Sequence, residues 1–242
     1  MLTRRQFLVA SGTALAAFSL RAQGSDSVPT ILDHILLGSA DLDTGIAFVE
    51  QHLGVRAAFG GMHPGRGTQN ALLSLGDHHY LEIIAPDPKQ QAANITPMFR
   101  ADLIGHLRSL TSPSLVGWAA HPGSLDAFAK KLREAGVAFH GPTPGSRKRT
   151  DGRLLQWQTL NLDDDRSGLL PFFIEWGADS PHPASDAPAG CSVPRFALAA
   201  PDPAALKRAA APLGLDVTIE KNEKPQIRAT LHGPKGQLDL TS

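Results

Sequence analysis

Short apolar runs alternate with helix-spaced apolar positions along this chain, in an order that recurs. Ile31 to Gly38 is a β-branched, leucine-rich run ended by Gly-Ser, which predicts a strand. Asp41 caps a predicted helix whose apolar positions Leu42, Ile46, Val49 and Leu53 fall at helical spacing, and Gly54 supplies its stop. Three short strands are predicted next, at Val55–Phe59, Asn70–Leu75 and Tyr80–Ala85, the last two joined by the turn Gly76-Asp77-His78-His79. The unit therefore reads βαβββ and closes at Pro86.

A polar connector follows, in which Met98, Leu103, Leu107 and Leu110 predict a helix within Pro97–Leu110. The unit then recurs. Leu115–Ala120 predicts a strand, Ser124 caps a helix bearing Leu125, Phe128 and Leu132, and Gly136-Val137 repeats the Gly54-Val55 stop. Strands at Arg153–Asn161 and Leu170–Trp176 complete this copy, with Gly141–Gly152 read as a proline- and glycine-rich loop. After a Pro/Ala/Ser-rich linker, a third and shorter copy runs from a strand at Arg195–Ala200 through a helix opened by Asp202-Pro203 to strands at Leu215–Glu220, Gln226–Leu231 and Gln237–Thr241. The stops Gly54-Val55, Gly136-Val137 and Gly214-Leu215 recur at similar intervals. Each copy also carries one acid in its last strand, Glu82, Glu175 or Asp239. Recurrence of both features implies internal duplication.

The domain organisation expected from this pattern is a leader at 1–24, a first module at 25–88, a connector at 89–112, a second module at 113–177, a linker at 178–193 and a third module at 194–242. The third module should pack against the first two or pair with its counterpart in a homodimer, because a lone sheet leaves an edge exposed.

Composition narrows the function classes. Lys plus Arg and Asp plus Glu number 23 each, which gives no reason to expect nucleic acid or a membrane surface as a partner. The single cysteine, Cys191, excludes an internal disulfide framework and a multi-cysteine metal site. Arg4-Arg5 followed by Phe7-Leu8 and a short, weakly apolar run to Leu20 resembles a twin-arginine export signal, and the run is too short to span a bilayer. The expected product is a soluble periplasmic protein, with no membrane attachment after cleavage.

Two residues stand out against the apolar pattern, His34 in LDHILL and Glu82 in YLEIIA, because a polar group buried in a sheet needs a partner. His63-Pro-Gly-Arg66-Gly-Thr68, leading to Asn70, reads either as a rim that folds over a pocket or as an ordinary turn. Arg153, Leu155 and Trp157 share one face of a strand by period-two alternation, so Arg149 and Arg153 beside Trp157 suit a carboxylate or phosphate on an apolar body. Arg147 and Lys148 read as a solvated loop. Trp118 and Trp176 read as core or pocket wall, with Trp118 carried as a substrate-contact candidate. His78, His79, His106, His121, His140, His182 and His232 receive no role, and no Gly-x-Ser-x-Gly nucleophile occurs.

The blocks Asp33-His34-Ile35, His63 to Thr68 with Asn70, Tyr80-Leu-Glu82-Ile-Ile-Ala-Pro86, Arg147 to Arg153 with Trp157, and Leu170-Pro-Phe-Phe-Ile-Glu175-Trp176 resemble the vicinal oxygen chelate superfamily, most closely its glyoxalase-like branch. That resemblance implies an α+β fold of repeated βαβββ units. Two are paired into a cupped eight-stranded mixed sheet, with a third, shorter unit appended. It further implies one divalent metal (Mn, Fe, Zn or Mg) held by residues on the first and last strand of each unit, which here match His34, Glu82 and Glu175. The remaining position aligns with Val116 or Gly117, neither of which can ligate. Catalytic candidates are therefore His34, Glu82 and Glu175. Substrate-contact candidates are His63, Arg66, Asn70, Arg149, Arg153, Trp157 and Trp118. Two functions are expected: a lyase, isomerase or dioxygenase acting on a small anionic or vicinal-oxygen substrate, with Glu82 or Glu175 moving a proton, or a non-catalytic protein that sequesters such a molecule.

Overall fold

In a computed structural model, which describes residues 28–76, 78–90, 103–148 and 152–242, the chain forms two sheets and four α-helices around a shared core. The strands are β1 (Leu32–Gly38), β2 (Ala58–His63), β3 (Thr68–Ser74), β4 (Tyr80–Pro86), β5 (Ser114–Ala120), β6 (Phe139–Lys148), β7 (Leu154–Leu162), β8 (Phe172–Trp176), β9 (Ser192–Ala200), β10 (Thr218–Lys221), β11 (Gln226–Gly233) and β12 (Gly236–Thr241). The helices are α1 (Leu42–Leu53), α2 (Leu103–Ser109), α3 (Leu125–Glu134) and α4 (Pro203–Ala210). The predicted caps are in place. Asp41 accepts from the Thr44 amide, Ser124 from Ala127 and Asp202 from Ala205, while Gly54, Gly136 and Gly214 all take the positive φ expected of helix stops.

The large sheet has the order β2-β3-β4-β1-β5-β8-β7-β6. Each half places its first strand parallel to its last, β1 with β4 and β5 with β8, and the halves join through antiparallel β1 and β5. The two modules are thus mirrored about the sheet centre, and β2 and β6 become its outermost strands. This is the cupped eight-stranded sheet that the family resemblance implies.

Two strands differ from the sequence reading. β6 occupies residues read as a loop, because Pro142, Pro144 and two glycines argue against a central strand. At a sheet margin, where one side makes no ladder, such residues are tolerated. β2 begins later than expected and carries His63 within it, so His63 is held by a strand rather than by a loop.

The third module has the βαβββ element order but not the topology of the other two. Its order is β10-β9-β11-β12, with β9 between a parallel and an antiparallel neighbour. It packs on the outer face of the first two modules, with its Phe196 against Trp118 at 5.0 Å and Leu198, Leu231 and Leu238 in one core with Ile35, Leu53 and Phe173. The Lys235 amide donates to the Leu53 carbonyl and the Ser114 hydroxyl to the Thr241 carbonyl. The third module thus packs against the first two, as one of the two expected placements has it.

Two segments close the ends of the cup. Leu103 and Leu107 of α2 cover Leu36, Ile84 and Val116 at one end. At the other, the linker lays Ala184 over Leu72 and Tyr80, with Trp176 alongside, and its Pro188 carbonyl accepts from the Ser74 amide.

Candidate functional site

The concave face of the large sheet holds a cavity of about 280 Å³. Strand alternation decides what enters it. On β4 the inward positions are Tyr80, Glu82 and Ile84; on β8 they are Phe172, Ile174 and Trp176. β1 contributes His34 and Leu36, β3 contributes Asn70, β2 contributes His63, and the turn after it adds Pro64 and Arg66. β6 and β7 supply Arg147, Trp157, Thr159 and Asn161.

His34 sits at the floor, 2 % exposed, between two carboxylates. Its Nδ1 lies 2.7 Å from Asp33 Oδ1 and its Nε2 lies 3.3 Å from Glu82 Oε2. The register against β5 slips between Leu32 and His34, an irregularity that lets the carboxylate of Asp33 reach the face occupied by its neighbour. Burial alone would drive His34 towards the neutral form. The hydrogen bonds and charges of Asp33 and Glu82 outweigh that and push its pKa up to about 9. Burial likewise opposes ionisation of Glu82, but His34, His63 and the Asn70 amide bring it down to about 2. Asp33 is held well below the usual carboxylate range: its burial is outweighed by His182 and His34. The floor is therefore an Asp⁻–His⁺–Glu⁻ array. Tyr80 stacks on the His34 ring at 4.4 Å, and burial beside two carboxylates raises its own pKa well above normal.

From Glu82 the network continues along β3. Asn70 Nδ2 donates to Glu82 Oε1 at 2.7 Å and approaches His63 Nε2 at 3.2 Å, while His63 Nδ1 lies 2.8 Å from the Thr68 hydroxyl. An amide nitrogen can only donate, so His63 Nε2 is the acceptor and Nδ1–H the donor, which makes the ring neutral. Burial lowers its pKa in agreement; Glu82 opposes this, and the charges of Arg147, Arg66 and His34 add to it.

Sequence-derived candidates divide sharply here. His34, Glu82, His63, Arg66, Asn70 and Trp157 all border the cavity. Glu175 does not: it lies on the outward face of β8, where Oε2 accepts from the Leu125 amide at the N-terminus of α3. Trp118 also faces outward, fully buried, donating from Nε1 to the Leu169 carbonyl and packing on Phe196. Arg153 is exposed beside Asp186 at 3.5 Å and does not border the cavity. Arg149 lies outside the described residues.

Sequence reasoning missed two residues. Arg147, read as solvated, is buried at the cavity wall, and its Nη1 donates to the Gly60 carbonyl. His182, given no role, donates from Nε2 to Asp33 Oδ2 at 3.2 Å, since its Nδ1 accepts from the Ala184 amide; Trp176 Nε1 donates to the same oxygen at 3.1 Å. Had the prolines of β6 been read as the mark of a marginal strand, alternation from Gly145 would have placed Arg147 inward.

The residues do not make the metal set that the resemblance implies. With Glu175 outward and Gly117 opposite Leu36, only His34 and Glu82 of the expected ligands share the cavity. His34 has a carboxylate against each ring nitrogen, so it offers a cation no lone pair in this arrangement. Among the described residues, no three His, Cys, Asp or Glu side chains are grouped to hold a metal.

A paired-module cup with a polar floor defines a glyoxalase-like protein of vicinal oxygen chelate fold, a class whose cups bind small molecules. The sequence agrees: the family model described as "Glyoxalase-like domain" matches residues 32–214, and the chain belongs to that family. The match runs past the paired modules into β9 and α4 of the third. No curated protein matches the chain. A crystal structure of a hypothetical protein from Staphylococcus aureus has the same fold, with a TM-score of 0.59 at 18 % identity over 87 % of this chain and 84 % of that one. Methylmalonyl-CoA epimerase from Mycobacterium tuberculosis matches at TM-score 0.42 and 22 % identity, over 62 % of this chain and 89 % of its own. A methylmalonyl-CoA epimerase in complex with methylmalonyl-CoA and NH4+ matches at 0.44 and 21 %, over 64 % and 100 %.

Proposed function

We propose that the cup takes a small organic anion or vicinal-oxygen compound and holds it against a fixed charge array. The observation that carries this reading is the placement of two arginines. Among the described residues, Arg66 and Arg147 border the cavity, beside a floor in which the His34 imidazolium is matched by Asp33 and Glu82. A cavity of about 280 Å³ lies at the small end of ligand pockets. Phe172, Trp157 and Trp176 supply an apolar wall for the body of such a molecule.

Sequestration is favoured over proton chemistry at Glu82. A general base works best with a pKa near the working pH, and Glu82 has been brought down to about 2. One observation supports a second, catalytic reading as a lyase or isomerase: the neutral His63 ring borders the cavity, and its Nε2 could take a substrate proton if it gave up the Asn70 N–H it now accepts.

Thermal-shift screening of the purified chain against small carboxylates, phosphates and vicinal diols is the direct test. Anions should raise Tm and their neutral amides should not; equal response from the amides overturns the reading. Turnover of a bound compound, lost in His63→Gln and kept in Glu82→Gln, would select the catalytic form. Elemental analysis of the same protein reports whether a metal is retained. We also propose export to the periplasm on the residue pattern of positions 1–24, which lie outside the described residues; cell fractionation decides it.

A further inference from the structure

β2 and β6 stand at opposite ends of the strand order, yet the sheet curls until they meet. Arg147 of β6 crosses that seam to reach the Gly60 carbonyl of β2. The crossing depends on residues without side chains. A Cβ on Gly61 would lie 2.7 Å from Arg147 Nη1, and Gly61 has φ +143, which L side chains rarely adopt. A Cβ on Gly60 would lie 2.4 Å from Asn70 Oδ1, 2.9 Å from Leu72 Cγ and 3.2 Å from Arg147 Nη1. The β2–β3 register slips between Phe59 and Gly61, which bends the strand at this point.

Gly60 also orients Asn70. The buried Oδ1 of Asn70 has no conventional hydrogen-bond partner and faces the Cα–H side of Gly60. Its amide nitrogen is thereby turned towards Glu82 and His63. Across the seam a third glycine acts in the same way: a Cβ on Gly145 would lie 2.5 Å from Trp157 Nε1, so the indole of Trp157 rests directly on the β6 backbone. Backbone thus seats a guanidinium and an aromatic plane side by side on one wall of the cavity.

We propose that this seam is a carboxylate subsite, with Arg147, held by Gly60 and Gly61, receiving the anion and Trp157, held by Gly145, covering a flat apolar body. The proposal rests on the anion-binding reading and narrows it to planar, aryl-type carboxylates. A guanidinium carries five N–H donors in one plane, so it can take a carboxylate in addition to the partners it already has, Gly60 among them. Because Arg147 already joins the two margins of the sheet, a carboxylate bound to it ties the seam more firmly, and the ligand should stabilise the cup as a whole.

The probe is benzoate, with benzamide as its neutral counterpart and inorganic phosphate as the competing anion class. Binding is read by tryptophan fluorescence and Tm on the full chain. Benzoate should bind at least about tenfold tighter than benzamide and than phosphate. Arg147→Gln should lose about tenfold or more, and Arg147→Lys less. Gly61→Ala leaves the guanidinium in the protein but displaces it, and should weaken benzoate as Arg147→Gln does; because it also strains the backbone at Gly61, binding is compared at a temperature where each variant is folded. If small anions bind but are indifferent to Arg147→Gln and Gly61→Ala, the seam assignment fails and the broader reading stands. If phosphate outcompetes benzoate, the carboxylate assignment fails alone. If no anion binds the parent chain, both fall.

Discussion

Glu82 and Glu175 occupy the last strand of two mirrored modules and face opposite ways. Glu82 enters the cup and anchors the His34–Asn70–His63 network; Glu175 turns outward and caps α3. Period-two alternation makes the difference: one residue of offset in a strand moves a side chain to the other face. Duplication has kept the backbone and divided its use. The first module supplies the charged floor, and the second supplies Arg147 and an aromatic wall, with Gly117 where the floor residue would be. Replacement should expose this asymmetry more than any other change. Glu82→Gln leaves a buried imidazolium with one carboxylate fewer and should cost about 3 kcal/mol in urea unfolding. Glu175→Gln removes only a charge at a helix N-terminus and should cost about 0.5 kcal/mol. Equal losses would mean that the two acids are equivalent after all.

The same contrast sets a pH profile. His34 is raised from 6.5 to about 9, so its contribution is complete below pH 6.5 and is lost as pH rises through 9. Glu82 is lowered from 4.5 to about 2, so its contribution is complete above pH 4.5 and is lost as pH falls towards 2, with Asp33 adding to the loss in acid. Stability should therefore be greatest between about pH 4.5 and 6.5 and decline on both sides, by about 2 kcal/mol for an ion pair that both shifts share. In Glu82→Gln the alkaline decline should be smaller and end at lower pH, because His34 keeps only Asp33 to hold its proton. Unfolding free energy measured from about pH 2 to 10 in the parent chain and in Glu82→Gln decides this.

Element order and helix caps were legible in the sequence because periodicity and glycine stops are local signals; the cup was implied only by the family resemblance. His34 and Glu82 were legible because a polar residue amid apolar alternation is conspicuous. What was hidden depends on parity and on position within the sheet. Nothing local distinguishes FFIEW from YLEII in the face its acid will occupy, and the third module's strand order is set by packing on the outer face of the first two. β6 was obscured by prolines that only a marginal strand accepts. Arg147 was hidden with it, and its partner Gly60 lies far along the chain. Gly60-Gly61 within an otherwise strand-like run was the available hint, since paired glycines there signal close approach by something else.

The smallest expected effect tests whether position in the sheet, rather than charge, selects the binding arginine. Arg147 and Arg153 belong to the same basic cluster, and period-two reading favoured Arg153 beside Trp157. In the fold, Arg153 is 54 % exposed and 3.5 Å from Asp186, outside the cavity, whereas Arg147 is enclosed at the seam. An exposed pair of this kind contributes between about 0 and 1 kcal/mol. Arg153→Gln should therefore shift stability by no more than about 0.5 kcal/mol and leave anion binding within about twofold of the parent chain. A loss of binding comparable with that of Arg147→Gln would mean that the long-range charge of the whole cluster draws the ligand in, and that enclosure of one guanidinium at the seam is not what distinguishes the two.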